Sequence, residues 1–151
     1  MDTRRSFWSA LWSQPAAPHS FLSRYTVANG VLYLLVGASM YLLPSSILMR
    51  LFFLERPLAG YEEGLARAVG FTVAVIGWFY MMGGRTRADS FGLATVVDRL
   101  LVPAFLLPLW GLGLAPPGMI LPFSILDPLL GLGAYAIWRS AEVAGVQAAT
   151  R

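Results

Sequence analysis

Four long apolar stretches constrain this chain more than any other feature of its sequence. They cover residues 25–43, 68–84, 90–110 and 119–138. Each has close to the ~20 residues that an α-helix needs to cross a hydrocarbon core. Because backbone polar groups in lipid must pair within their own segment, we expect these stretches to be helices. The sequence therefore predicts an all-α fold, a transmembrane four-helix bundle within residues 21–139.

The composition excludes most catalytic and metal-binding chemistry. Of the 151 residues, 57% are hydrophobic and 13% are charged, whereas soluble domains carry about 25% charged residues. There is no Cys and a single His, His19, which excludes disulfides, thiolate metal sites, Cys nucleophiles and His-rich metal centres. The sequence has no HExxH motif, no credible Ser-His-Asp set and no phosphate-binding glycine loop. We therefore expect a non-enzymatic protein with no catalytic residue, no metal and no evident cofactor.

The arginine residues predict how the spans are oriented. All 11 Lys and Arg residues are Arg, and several of them lie at the ends of the apolar stretches. Because they do not form a basic stripe on a soluble surface, no nucleic-acid partner is expected. With four crossings, both termini and the loop after the second span share one side of the membrane. By the positive-inside rule, that side is predicted to be the cytoplasm, with residues 140–151 as a cytoplasmic tail. Seven Arg lie on that side against three on the other: Arg4, Arg5, Arg24, Arg85, Arg87, Arg139 and Arg151 against Arg50, Arg56 and Arg67.

Two segments outside the spans are expected at the membrane surface. Residues 1–20 are predicted to contain a short amino-terminal interfacial helix, and the alternative is a disordered tail with chance aromatics. In the longer outer loop, residues 47–54 are apolar but too few to span the membrane, and we expect them to form a lid or a re-entrant turn. The apolar face of the interfacial helix comprises Phe7, Trp8, Leu11 and Trp12.

Small residues at regular spacing mark a contact face on the second span. Membrane helices associate by close approach of their backbones, which small residues four apart permit. The general abundance of Gly and Ala in membrane helices would explain any one of them, but the regular spacing favours a helix-packing stripe. We expect the stripe to pack against a neighbouring helix or against another subunit. It consists of Ala66, Gly70, Ala74 and Gly77.

Three ionisable residues lie inside the predicted spans: Asp98, Arg99 and Asp127. At about 1.5 Å per residue, Asp98 lies ~12 Å below the inner surface and Asp127 ~12 Å below the outer one, so their levels differ by about 6 Å in a core about 30 Å thick. An ion pair between Arg99 and Asp127 is therefore predicted, with Asn29 or Tyr33 of the first span as partners of Asp98. Two interpretations remain open, a structural polar cluster that fixes helix register and a ligand or proton site.

The order of these features resembles the DoxX-like group of small four-helix bacterial membrane proteins. The resemblance is carried by NGVLYLLVGASMYLLP in the first span, by ARAVG and WFYMMGGR at the two ends of the second, and by TVVDRLLVP in the third. It covers residues 24–139. The group includes membrane partners of quinone-linked oxidoreductases, so the resemblance implies a fold and a place beside a redox complex, but no catalytic residue. The Trp-rich amino-terminal segment and Asp98 depart from the group.

Three classes of function are compatible with these features. The leading hypothesis is a non-catalytic membrane subunit, or a small bundle that binds a lipid or quinone, associated with other membrane-protein subunits or with copies of itself. It would pack against a larger membrane complex through the stripe of the second span and the interfacial helix at residues 7–12. The alternative is a small proton-coupled transporter or channel that uses Asp98, Arg99 and Asp127 as a relay, although four helices without an evident inverted repeat make a poor alternating-access machine. A third hypothesis is an intramembrane oxidoreductase or isomerase acting on a lipid-like substrate, for which no matched proton donor can be named.

Overall fold

The computed structural model describes residues 20–86 and 88–149, and within them every regular element is a helix. Four of the described helices are long and apolar enough to cross a membrane, so the chain is a multi-pass membrane protein and the predicted all-α four-helix bundle is confirmed. The predicted interfacial helix at residues 7–12 lies outside the described residues. The helices are α1 (Phe21–Leu42), α2 (Ser45–Leu51), α3 (Tyr61–Arg85), α4 (Asp89–Gly111) and α5 (Pro117–Ala149).

The outside of the bundle is apolar, as a lipid-facing surface must be. Large hydrophobic side chains on all four spanning helices are strongly exposed, among them Phe21, Phe79, Phe105 and Leu129. In water such a surface would be an aggregation site, whereas in a bilayer it is solvated by the acyl chains. The small buried core accordingly lies along the helix contacts.

Local residues explain where the helices begin and end. The side chain of Ser20 caps α1 by accepting a hydrogen bond from the backbone N–H of Ser23 at 3.0 Å. At the other end of α1, Leu43 is extended and is followed by Pro44, which disfavours a helical conformation in the residue before it. Acidic residues occupy the first turn of α3 and Arg85 its last turn, which suits the helix dipole.

Of the spanning helices, α3 and α5 extend furthest beyond their uncharged stretches. Helix α3 begins at Tyr61, seven residues before the predicted span at residues 68–84, because its charged first turns pair along the helix. There the guanidinium of Arg67 donates to the carboxylate of Glu63 at 2.7 Å and to the backbone carbonyl of Tyr41. Helix α5 continues past residue 138 to Ala149, so most of the predicted tail is helical.

Helices α1 and α3 pack through glycine. A Cβ on Gly30 would lie 2.7 Å from the carbonyl oxygen of Gly77, and a Cβ on Gly77 would lie 2.6 Å from that of Gly30. Gly37 and Gly70 make a second contact of the same kind, about two turns along. The small-residue stripe of α3 therefore lies against α1 of the same chain. As a surface for docking another subunit, it is already covered.

The bundle consists of two helix pairs that are joined firmly at one end. Helix α1 packs most closely on α3 and α4 on α5, whereas α3 and α4 touch little. At the end where α1 and α4 begin, here called the Arg85 end, the hydroxyl of Ser20 donates to Asp89 at 2.8 Å and that of Tyr25 to the carbonyl of Leu130 at 3.1 Å. A core of Leu22, Val96 and Ala134 lies nearby. Towards the opposite end, here called the Arg56 end, the two pairs separate.

The apolar segment of the outer loop folds as the short helix α2. Its Leu48 is buried, and the chain then turns back through Phe53, whose φ of 50° is unusual for a residue other than glycine. The carbonyl of Phe52 lies so close to Gly118 that a Cβ there would clash with it. The segment after α2 therefore packs against the start of α5 and partly covers the Arg56 end.

Replacing Gly77 by Leu should destabilise the bundle, because the new side chain would collide with the α1 backbone. We expect the free energy of unfolding in detergent to fall by about 1–3 kcal/mol, as for overpacked cores. The control is Gly64→Leu in the same helix, where a Cβ meets nothing within 4 Å and stability should not fall, because Leu favours a helix over Gly by up to about 1 kcal/mol. Equal losses in the two variants would contradict the glycine contact.

Candidate ligand-binding cavity

A cavity of about 570 Å³ lies where the two helix pairs separate. Its walls are almost entirely apolar and come from α1, α3, α4 and α5. On α3 they extend from Tyr80 to Val69, and on α4 from Asp98 to Leu109. Polar side chains gather at the end of the cavity nearer the middle of the bundle. They are Tyr33, Tyr80, Asp98, Arg99 and Asp127.

Arg99 is the central polar residue of this cavity. Its side chain is only 1% exposed, and its guanidinium carbon lies 4.8 Å from the ring centroid of Tyr80 and 5.4 Å from that of Tyr33. The two rings also contact each other, with centroids 5.5 Å apart. Cation–π attraction therefore holds the guanidinium. Within residues 20–86 and 88–149, none of its three nitrogens donates a hydrogen bond, so its donors remain available to a molecule in the cavity.

Asp98 is bound by a residue that the sequence did not single out. The hydroxyl of Tyr80 donates a hydrogen bond to its carboxylate, linking α3 to α4. The predicted partners Asn29 and Tyr33 are therefore wrong for Asp98. The signal for Tyr80 was its position three residues after Gly77, which places it on the same face of α3 as the stripe. Its place in the aromatic run WFY is equally typical of a belt at the membrane interface, so the sequence alone does not distinguish the two roles.

Asp127 lines the same cavity from α5 but does not pair with Arg99. It is 4% exposed, and its Oδ1 accepts no hydrogen bond from the described part of the chain. The predicted ion pair between Arg99 and Asp127 is therefore not formed. The physical reason is that Tyr33 and Tyr80, on α1 and α3, draw the guanidinium across to the other helix pair.

The remaining predicted residues are buried on one face of α1. Tyr33 lines the cavity, and its hydroxyl has no hydrogen-bond partner among the described residues. Asn29, one turn earlier, is 5% exposed and has an unpartnered amide nitrogen in the same part of the chain, but it is not a wall of the cavity. The structure thus places Tyr33, Asp98, Arg99 and Asp127 around one cavity, whereas Asn29 is buried outside its wall.

The cavity opens sideways between α3 and α4. Several residues of its wall are strongly exposed, and they lie on these two helices, which hardly touch. Helix α4 carries Pro103 and Pro108 at this level, and each removes a helical hydrogen bond and favours a bend. We call this opening the lateral slot. Its exposed residues are Val69 (45%), Leu101 (49%), Phe105 (72%) and Leu109 (38%).

A second cavity, of about 510 Å³, lies beyond the first at the Arg56 end. The two share Val69, Ala115 and Met119 as walls, so they are neighbours along the bundle. At the rim of the second cavity, the guanidinium of Arg56 donates to both carboxylate oxygens of Glu62 at 2.7 Å. This exposed pair contributes little stability and marks the polar rim of the second cavity.

Comparisons of the chain with known protein families, with curated proteins and with solved structures found no match. The chemistry of the cavity must therefore be argued from its own side chains. Arg99 can only donate hydrogen bonds, and ionised Asp98 and Asp127 can only accept them. Combined with long apolar walls and a slot at the depth of the acyl chains, this arrangement suits an amphipathic molecule from the bilayer.

Replacing Arg99 by Met distinguishes a ligand-binding arginine from one that holds the bundle together. Arg99→Met removes two cation–π contacts, but it also removes a buried charge that has no hydrogen-bond acceptor among the described residues, so we expect the ligand-free protein to lose no more than about 2 kcal/mol. Removing one partner of a buried ion pair would instead cost about 3–5 kcal/mol. Thermal unfolding in detergent measures the difference.

Leu22→Ala is the reference for that measurement. Leu22 is 3% exposed in the core of the Arg85 end, so its truncation should cost about 2–5 kcal/mol. If Arg99→Met lost as much as Leu22→Ala, a structural role for Arg99 would be the better interpretation.

Proposed function

We propose that this protein binds a neutral amphipathic molecule of the bilayer, a lipid or a quinone, in the cavity between its two helix pairs. The observation that carries the proposal is the buried guanidinium of Arg99, which lines an apolar cavity and finds no acceptor among the described residues. A carbonyl or ether oxygen of the ligand would accept its hydrogen bonds, and the apolar tail would lie along the walls towards the lateral slot.

The energetics of burial support a polar group in this position. A polar group that is buried without a hydrogen-bond partner costs about 1–3 kcal/mol, and a charged one costs more. A ligand oxygen beside Arg99 would remove that cost, which is the source of its affinity. The three Arg99 nitrogens are the largest such group among the described unpartnered atoms.

The charges in the cavity favour a neutral ligand over an anionic one. Asp98 and Asp127 already bring two carboxyl groups to the cavity that holds Arg99. A phosphate or a fatty-acid carboxylate would add a further negative charge in a region of low dielectric, where an unbalanced charge is costly. A quinone carbonyl or a lipid ester supplies the acceptor without the charge.

The same geometry argues against a proton relay through the three ionisable residues. Among the described residues, Asp98 receives a hydrogen bond from Tyr80, and neither Arg99 nor Asp127 hydrogen-bonds to another member of the set. Without direct contacts, a relay would need a chain of bridging water in a cavity whose walls are almost entirely apolar. We therefore favour ligand binding over the proton-coupled transporter or channel.

For the cellular setting, we propose a non-catalytic subunit in the bacterial inner membrane, with both termini in the cytoplasm. The resemblance to the DoxX-like group supports a place beside a larger, quinone-linked redox complex. The excess of Arg at the Arg85 end supports the orientation. A partner subunit would have to pack on a surface other than the stripe of α3, which α1 covers.

Binding can be tested directly with a decyl-substituted benzoquinone on the purified full-length protein. We expect saturable binding by calorimetry, and an affinity about 10- to 150-fold lower for Arg99→Met, because a hydrogen bond to a charged group is worth about 1.5–3 kcal/mol. The matched control is Arg139→Met, whose guanidinium is on the exposed end of α5 in a pair with Glu142. It should bind like the unaltered protein.

Extraction of the purified protein complements this test. Mass spectrometry should find a lipid or quinone that is depleted in Arg99→Met, and cross-linking in native membranes should capture a larger subunit. Absence of decyl-benzoquinone binding together with absence of any extracted amphiphile would refute the binding proposal. A chain that remains unaccompanied in native membranes would refute the subunit role alone.

The orientation is testable because the chain has no Cys. We expect Thr86→Cys, at the Arg85 end, to be protected from a membrane-impermeant maleimide in spheroplasts, and Leu112→Cys, which is 72% exposed at the other end, to react. Both should react after permeabilisation, which serves as the control. The reverse pattern would place the termini outside the cell.

A further inference from the structure

Arg99 and Asp127 form an incomplete pair. Both are at least 96% buried, both line the same cavity, and each keeps polar atoms without a partner among the described residues. They come from different helices, α4 and α5, and their side chains are not in contact as an ion pair. Opposite charges that share a cavity without meeting leave room for a molecule that touches both.

The hydrogen-bonding capacity of the two residues sets what that molecule must carry. A guanidinium has donors only and a carboxylate has acceptors only. The ligand therefore needs an acceptor oxygen for Arg99 and a donor for Oδ1 of Asp127. Asp98 is a weaker candidate for the second contact, because the hydroxyl of Tyr80 already donates to it.

We infer that the ligand bridges Arg99 and Asp127, and that its polar end carries a hydroxyl group beside or opposite an acceptor oxygen. This inference rests on the proposed function and narrows its ligand class. Hydroquinones and hydroxyl-bearing lipids fit, whereas a quinone or a fully etherified head offers acceptors alone. A site built to hydrogen-bond a hydroxyl discriminates strongly against an analogue that lacks it, because a buried polar group is then left unpaired.

The bridge also explains how two buried charges are accommodated without direct contact. A hydroxyl donating to Asp127 and an oxygen accepting from Arg99 would satisfy both residues through one molecule. The ligand would then connect α4 to α5 within the second helix pair, beside the Tyr33 and Tyr80 rings of the first pair that hold Arg99. Ligand binding should accordingly stabilise the bundle as well as fill it.

The experiment compares three molecules of one skeleton on the full-length protein in detergent. They are a decyl hydroquinone, its dimethyl ether and the corresponding decyl benzoquinone. We expect the hydroquinone to bind about 10- to 100-fold more tightly than either of the others, as for a hydrogen bond to a charged acceptor. The dimethyl ether is larger than the hydroquinone and the benzoquinone is slightly smaller. A difference in size alone therefore cannot explain weaker binding of both.

Variants of the protein test whether Asp127 causes the preference for the hydroquinone. Asp127→Leu should bind the three molecules with affinities within about threefold of one another, and Arg99→Met should weaken all three. Glu142→Gln, at the exposed end of α5, should keep the full preference. If Asp127→Leu does not fold, the comparison of the three molecules on the unaltered protein still decides the question.

The outcomes separate this inference from the proposal on which it rests. Equal binding of all three molecules, or tighter binding of the quinone, would overturn the bridge and leave the cavity as a binding site. Binding of none of them, without any extracted lipid, would refute the binding site itself. A preference that persists in a folded Asp127→Leu protein would assign the donor contact to another acceptor and overturn the bridge.

Discussion

The close contact between α1 and α3 is the interaction on which the rest of the structure depends. Gly30 against Gly77 lets the two backbones touch, and the residues three positions further on, Tyr33 and Tyr80, are then brought ring to ring. Those rings hold the guanidinium of Arg99. A larger residue at either glycine would separate the rings as well as the helices, so the packing of one helix pair determines the position of a charge on the other.

The second helix pair is held differently, and the difference accounts for the cavity. Helices α4 and α5 meet the first pair firmly only at the Arg85 end, through the hydroxyls of Ser20 and Tyr25 and a small apolar core. Further along, bulky side chains and prolines replace small residues on α4, and close approach ends. Lipid gives no hydrophobic drive to close the gap, because its chains are as apolar as the side chains that would fill it. A wedge-shaped opening between pairs joined at one end is the expected result.

The sequence predicted much of this fold and only part of the cavity. The four spans could be predicted because an apolar segment in lipid can satisfy its backbone polar groups only as a helix. The stripe could be predicted from the regular spacing of its small residues, although that spacing does not identify α1 as its partner. The sequence also identified Arg99 and Asp127 as residues at a similar depth. Depth, however, is a single coordinate. Which way each side chain turns depends on the rotation of its helix and on neighbours such as Tyr80, and no periodicity in one sequence gives those rotations.

The charged first turns of α3 have a consequence for the surrounding bilayer. Only residues 68–84 of this helix are free of charge, 17 residues or about 25 Å at 1.5 Å per residue. That is shorter than a hydrocarbon core of about 30 Å, and Arg67 is fixed in place by Glu63 and by the carbonyl of Tyr41. A short hydrophobic stretch is accommodated by local thinning of the membrane, by snorkelling of its flanking residues or by oligomerisation. Thinning around α3 would lie along one edge of the lateral slot, so the proposed ligand would reach its cavity from a thinner part of the bilayer.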